Sequence, residues 1–226
     1  MTRFQLFGVQ HVAALAVIAA VTGGLVWVVR RWPGAAPPVR FALAMLLVGT
    51  GGAVLVIQRR EGTSWVELAP LHLCDMAILV AAWALVSGRR QAVELAYFWG
   101  AAGTVLAVIT PDLAAAFPSH TFLFYFGLHG GVIAAAVLMP FGLRQVPRPG
   151  AVARAMLWTN AYAVGVGVVN LATGANFLYL CRKPSAPTPL DWFGPWPMYL
   201  VVGEVVAVGL FSLLYWPFRR RARGVG

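Results

Sequence analysis

The sequence predicts an all-α fold, a polytopic membrane helix bundle, and three observations predict it. Of its 226 residues 60% are hydrophobic and only 11% are charged, against about 25% charged residues in soluble domains. Seven stretches approach the roughly 20 mostly apolar residues that a helix needs to cross the hydrocarbon core. The basic residues fall at the ends of those stretches, in unequal numbers on the two sides. A single transmembrane helical-bundle domain over residues 1–226 is expected.

The first stretch covers about residues 11–29, with only Arg3 before it and Arg30 and Arg31 after it. A cleaved signal has the opposite charge order, so an uncleaved helix with its N-terminus outside is expected. The second, about 40–57, contains "GTGG" at 49–52, and the sixth, about 153–173, contains "GVGV" at 165–168. Neither has a flanking strand, so both read as small-residue sites of close helix approach rather than phosphate loops. The third, about 69–87, begins with Pro70, a good first-turn residue, and carries His72, Cys74 and Asp75 at its head. The fourth spans about 92–110. The fifth, about 121–139, holds His129 next to Gly130 and Gly131, which admit a neighbouring helix. Its Phe122, Phe124, Tyr125 and Phe126 read as lipid-facing or packing residues. The seventh, about 197–216, carries Glu204, and Trp192, Trp196 and Tyr199 around its start suit an outer interface belt.

With seven transmembrane helices, one side of the membrane collects 5 of the Lys and Arg residues and the other 12. The positive-inside rule then places the N-terminus outside and the C-terminus, with Arg219, Arg220, Arg221 and Arg223, in the cytoplasm. The net charge of +10 forms no face of its own, which argues against nucleic acid as a partner. A multi-pass protein of the cell (plasma) membrane is expected. Cys74 and Cys181 read as unpaired thiols, because two cysteines make no framework.

Ionisable groups inside hydrocarbon are costly and mark candidate functional sites. His72, Cys74, Asp75, His129, Asn170 and Glu204 all fall within roughly 5–12 Å of the outer boundary at 1.5 Å rise per residue. The inner half offers mainly Asn160. Positions i and i+2 on a helix point apart, so His72 is not the base for Cys74 and instead shares a face with Asp75. His129 is the histidine that another span places at the same depth. An imidazole beside a thiol can deprotonate it, and a third group usually orients the base. Asp75, Asn170 and Glu204 are candidates for that third role, and Asn170, Asn176 or His72 for an oxyanion donor. A metal site is not expected, because no H-x-x-x-H or C-x-x-C spacing occurs, and no cofactor is expected.

The segments "PLHLCDMA" (70–77), "YFWGAAGTVLAVITPDL" (97–113), "FYFGLHGG" (124–131), "NLATGANFLYLCRKP" (170–184) and "GPWPMYL" (194–200) resemble the bacterial YwaF family of integral membrane proteins. That family is similar to animal transmembrane protein 164, a proposed phospholipid acyltransferase. It is more distantly similar to the androgen-induced and androgen-dependent hydrolases of fatty-acid esters of hydroxy fatty acids. The resemblance covers about residues 65–205. It implies a cysteine and a histidine on different helices as the catalytic pair, and the matching positions here are Cys74 and His129. In the distant hydrolases the nucleophile is a threonine.

The expected function is therefore an intramembrane lipid acyl-transfer enzyme, an acyltransferase or a lipid ester hydrolase. Cys74 would be the nucleophile, His129 the general base, and membrane lipids (a phospholipid or lysolipid) the substrate. The alternative is a non-enzymatic seven-helix carrier or lipid- or signal-binding protein that uses the same polar layer as a pocket, with Asp75 and Glu204 as proton or cation sites.

Overall fold

The computed structural model describes residues 3–184 and 188–219, so Arg220, Arg221 and Arg223 of the basic C-terminal run lie outside the described residues. Seven helices carry the fold among the described residues. They are α1 (Val9–Arg31), α2 (Ala36–Arg60), α3 (Leu73–Ser87), α4 (Arg90–Ile109), α5 (His120–Gly142), α6 (Ala151–Thr173) and α7 (Met198–Phe218). Six of them, all but α3, are long and apolar enough to cross a membrane. Helix α3 has 15 residues, about 22 Å at 1.5 Å per residue, and is apolar but short. The structure thus gives six membrane-length helices where the sequence predicts seven. The described residues form no named strand; a single antiparallel bridge pairs Arg3 with Ala115.

The late start of α3 has a local cause. Pro70 disfavours helical backbone at the residue before it, and residues 64–71 fold instead into turns, with Leu68 N–H donating to Ser64 O and Ala69 N–H to Val66 O. His72 is extended (φ −70°, ψ 152°) and is the residue preceding the first helical turn. The helix therefore begins at Leu73, four residues later than expected, and Cys74 lies in its first turn. At its other end Gly88 (φ 63°) closes α3 by donating its N–H to Ala84 O, a left-handed cap that suits glycine.

Helices α4 and α5 form the centre: 67% of the apolar window of each is buried, against 11–17% for α1, α2, α6 and α7. Helix α3 packs against α2, α4 and α5. Its Ala77, Ala81 and Ala84 are fully buried, and their i, i+4, i+7 spacing puts them on one face. Both central helices widen into a π-helical turn, Trp99–Thr104 in α4 and Leu138–Gly142 in α5.

Close approach occurs at glycines, though not at the "GTGG" and "GVGV" runs. A Cβ at Gly49, Gly52 or Gly165 would meet nothing within 4 Å. At Gly130 it would lie 2.8 Å from Ile18 of α1, and at Gly131 2.8 Å from Leu47 of α2. The pair beside His129 is what lets α1 and α2 sit directly on α5. Leu47 is fully buried and has nowhere to retreat. Replacing Gly131 with Val is therefore expected to destabilise the fold by about 1–3 kcal/mol through overpacking. An unchanged thermal midpoint of the purified protein in detergent would contradict that packing.

One end of the bundle is held by charge. Glu94, at 2% exposure, accepts from Arg148 (backbone N–H at 3.0 Å, Nε at 2.9 Å) and from Arg154 (Nη2 at 2.8 Å, Nε at 3.1 Å). These contacts tie the start of α4 to the α5–α6 connection and the start of α6. At the same end Arg40 Nε donates to Leu85 O (2.6 Å), and Arg30 Nε to Phe141 O. At the opposite end buried His11 pins the N-terminal segment. Phe7 N–H donates to its Nδ1 (3.0 Å), which fixes the proton on Nε2, and that N–H donates to Val108 O (2.8 Å).

Candidate functional site

A cavity of about 350 Å³ lies between α2, α3 and α5, at the end of the bundle opposite Glu94. Its wall includes Cys74 and Asp75 from the first turn of α3, His129, His120 and Thr121 from α5, and Gln58 and Glu61 from the end of α2. Val54, Ile57, Ile78, Phe124, Tyr125 and Leu128 supply the apolar part. The structure thus brings Cys74, Asp75 and His129, from two different helices, to one space. Both cysteines are free thiols; Cys74 is half-buried and Cys181 exposed.

The imidazole of His129 is fixed by its own helix. Its Nδ1 lies 2.8 Å from Tyr125 O, one turn back. A carbonyl only accepts, so Nδ1 carries the proton and Nε2 holds the free lone pair. The Tyr125 ring stacks on the imidazole with centroids 4.1 Å apart and 25° between planes. Tyr125 is held in turn by its hydroxyl, which donates to Ala107 O at 2.8 Å. The group that orients His129 is a backbone carbonyl, not one of the acidic or amide side chains the sequence offers.

Four of the expected supporting residues lie elsewhere. His72 packs edge-on against Phe177 and tilted against Tyr179, with centroids 5.3 and 5.5 Å away. It precedes the helix and so shares no helical face with Asp75, although it stays close to the Asp75 carboxylate. Asn170 is buried and spent on a loop: its Oδ1 accepts from Phe177 N–H (2.9 Å) and its Nδ2 donates to Phe177 O (3.0 Å). Asn176 organises the same connection, accepting from Cys181 and Arg182 N–H and donating to Arg182 O. Glu204 accepts from Asn160 Nδ2 (3.1 Å) across the α6–α7 contact. None of the four lines the cavity. Glu204 meets Asn160 near the middle of α6, away from the height of Asn170, and the angular positions of the helices turn the remaining groups away from the cavity.

The belt expectation is corrected in one place. Trp192 and Trp196 are exposed, whereas Tyr199 is buried at 2% exposure and its hydroxyl donates to Tyr179 O. Of the α5 aromatics, Phe122 and Phe126 are buried together, while Phe124 and Tyr125 line the cavity.

Sequence reasoning missed Gln58, Glu61, His120 and Thr121. Each sits exposed at a helix end, where polar residues are expected at a membrane boundary, and only the packing of α2 on α5 gathers them at the rim of the cavity. His120 Nε2 and Glu61 Oε1 are 3.9 Å apart at an exposed position of the cavity. The Gln58 amide has no hydrogen-bond partner among the described residues. No three His, Cys, Asp or Glu side chains come together as a metal-binding group among the described residues.

A bundle of membrane-length helices with a thiol and an oriented imidazole on one cavity defines a multi-pass α-helical membrane protein with a polar pocket at one end of the bundle. Residues 6–215 match the family model of the TMEM164 family, and the chain belongs to that family. It is also 28% identical over 167 residues to an uncharacterized protein of Treponema pallidum (strain Nichols), which spans 73% of this chain and 68% of that one. No solved structure matches.

Proposed function

We propose that the protein is an intramembrane lipid acyl-transfer enzyme, an acyltransferase or lipid ester hydrolase, with Cys74 as nucleophile and His129 as general base. The observation that carries this reading is the shared cavity, in which the only protein contact of the His129 ring nitrogens among the described residues leaves Nε2 free. In the first step His129 Nε2 takes the proton of Cys74 Sγ, and the thiolate attacks the acyl carbonyl of a phospholipid. The C–S bond forms, the ester C–O bond breaks, and the departing lysolipid oxygen takes the proton back from Nε2. In the second step a lysolipid hydroxyl or water gives its proton to Nε2 and attacks the thioester. The C–S bond breaks and the sulfur regains the proton. Through both steps Nδ1–H stays on Tyr125 O, which keeps the imidazole in one tautomer. The N–H groups of Cys74 and Asp75 lie in the first turn of α3, where a helix leaves them without internal partners. Together with the Gln58 amide they are donors within the cavity wall available to an oxyanion. They take the role that Asn170, Asn176 and His72 cannot reach.

The experiment that tests this is labelling of the purified protein with a lipid-like thiol-directed activity probe. Wild type should be labelled at Cys74 and the Cys74→Ala protein should not; equal labelling of both would end the reading.

Within the family we read the chain as a YwaF-like bacterial member that crosses the plasma membrane seven times, N-terminus outside and C-terminus cytoplasmic. What supports this is the order of contacts, since each helix runs against its predecessor. The C-terminal ends of α1, α3, α5 and α7 meet the N-terminal ends of α2, α4 and α6 around Arg30, Arg40, Glu94 and Tyr97. Most of the basic residues belong to that end. A reporter fused after Gly226 should be active only in the cytoplasm, and activity on the outer side would reverse the topology.

One observation favours a second reading, a non-enzymatic carrier or binding protein. The cavity holds Asp75, Glu61 and His120 beyond what a Cys–His pair uses. Cys74→Ser separates the two readings, because a thiolate enzyme loses most turnover whereas a binding pocket keeps its ligand.

A further inference from the structure

At the end of the bundle opposite Cys74 a second cavity, of about 570 Å³, is lined by Arg90, Arg144, Arg148, Gln145, Gly88 and Phe218 among others. None of its lining residues is acidic. Glu94 lies behind this wall, and its single charge is already shared between Arg148 and Arg154. Arg90 and Arg144 are exposed and meet no carboxylate among the described residues. The cavity therefore keeps an uncompensated positive charge presented by guanidinium groups, whose planar fork matches a phosphate.

Two further features point to a ligand. Gln145 Oε1 is buried and has no hydrogen-bond partner among the described residues. As an acceptor it calls for a hydroxyl or N–H, not another anion. Arg144 is held in the left-handed region (φ 59°), which a non-glycine residue occupies at a cost and which recurs at ligand sites. The backbone there is set by the widened end of α5, where Leu143 N–H donates to Leu138 O and Gln145 N–H to Met139 O. That geometry puts Arg144 and Gln145, a cation and an acceptor, side by side on the wall.

We propose that this cavity binds a polyol phosphate, its phosphate on Arg90 and Arg144 and a hydroxyl donating to Gln145 Oε1. The source is either the headgroup of an anionic lipid such as phosphatidylglycerol or a free glycerol phosphate. Basic pockets between membrane helices are suited to phosphorylated headgroups. The site is separate from the Cys74 cavity, and it stands whether or not that cavity is catalytic.

Native mass spectrometry of the full chain in detergent tests it, with phosphatidylglycerol, phosphatidylcholine and sn-glycerol 3-phosphate as probes. Wild type should retain phosphatidylglycerol in preference to phosphatidylcholine. The Arg90→Gln/Arg144→Gln protein should bind it at least tenfold more weakly, and Gln145→Leu should also weaken it. Both arginines are exposed and unpaired among the described residues, so the double variant should melt like wild type. Arg59→Gln, which removes a charge at the opposite end, should bind as wild type does. Displacement of the lipid by millimolar glycerol phosphate supports the proposal and assigns the site to a free ligand; persistence of the lipid assigns it to a headgroup. Equal retention of the two lipids with no binding of glycerol phosphate overturns the proposal, as does undiminished binding by the double variant.

Discussion

Glu94→Ala is expected to destabilise the protein by about 3 kcal/mol, the lower end of what breaking a buried ion cluster costs. Glu94 is the only acidic partner in its cluster, at 2% exposure, and its loss strands two guanidinium groups that are each 36% exposed on the side chain. Their partial exposure lets water recover some of the penalty, which is why the lower figure is expected. The loss should be largest for unfolding measured in mixed micelles, because the cluster joins α4, α6 and the α5–α6 connection and no other charged contact in the described residues does so. The combined variant Glu94→Leu, Arg148→Met, Arg154→Met should regain much of the lost stability, since an apolar cluster of similar size leaves no charge unpaired. A Glu94→Ala protein as resistant to denaturant as wild type would show that the cluster contributes little to holding this end together.

Cys74→Ala is the second substitution with a large expected effect. If Cys74 is the nucleophile, turnover of phospholipid by the purified protein in nanodiscs should fall by on the order of 10³-fold or more, because both half-reactions pass through the thioester. His129→Gln should fall by about 10²–10⁴-fold, the usual contribution of a general base. The two losses should not add, because the residues act in the same step. Cys74 is half-buried and small, so the alanine protein should fold and melt close to wild type. A folded Cys74→Ala protein that turned over lipid at the wild-type rate would remove the thiol from the chemistry.

Much of this architecture was legible before any coordinates. The six long helices fall within a few residues of their expected positions, since about 20 apolar residues bounded by arginines carry a strong signal. The apolar stretch predicts a start of α3 at about 69, with Pro70 in its first turn, but the turns over residues 64–71 use that proline to delay the helix. Depth was also legible, and it brought Cys74, Asp75 and His129 into consideration together. Direction around each helix axis was not, because the neighbours of a membrane helix are set by three-dimensional packing. Asn170 turns to Phe177, whereas Glu204 meets Asn160, which lies about 15 Å from Asn170 along α6 at 1.5 Å rise per residue. Gln58 and His120 sit at helix ends, where a polar residue carries no signal of its own. Glu94 was hidden for the same reason: a carboxylate at a boundary looks solvated until two arginines from another connection are seen to close on it.

The bond between His129 Nδ1 and Tyr125 O has a wider consequence. A base that relies on a distant carboxylate for its tautomer depends on two pieces of chain staying in register, and a shift in either disarms it. Here donor and acceptor are one helical turn apart on a single element, so the arrangement travels with α5 as a rigid cartridge. Helices around it can slide, tilt or be exchanged during evolution, and the imidazole will still present the same nitrogen outward. In the proposed chemistry the reactive partner and the lipid can therefore diverge while the proton acceptor stays constant.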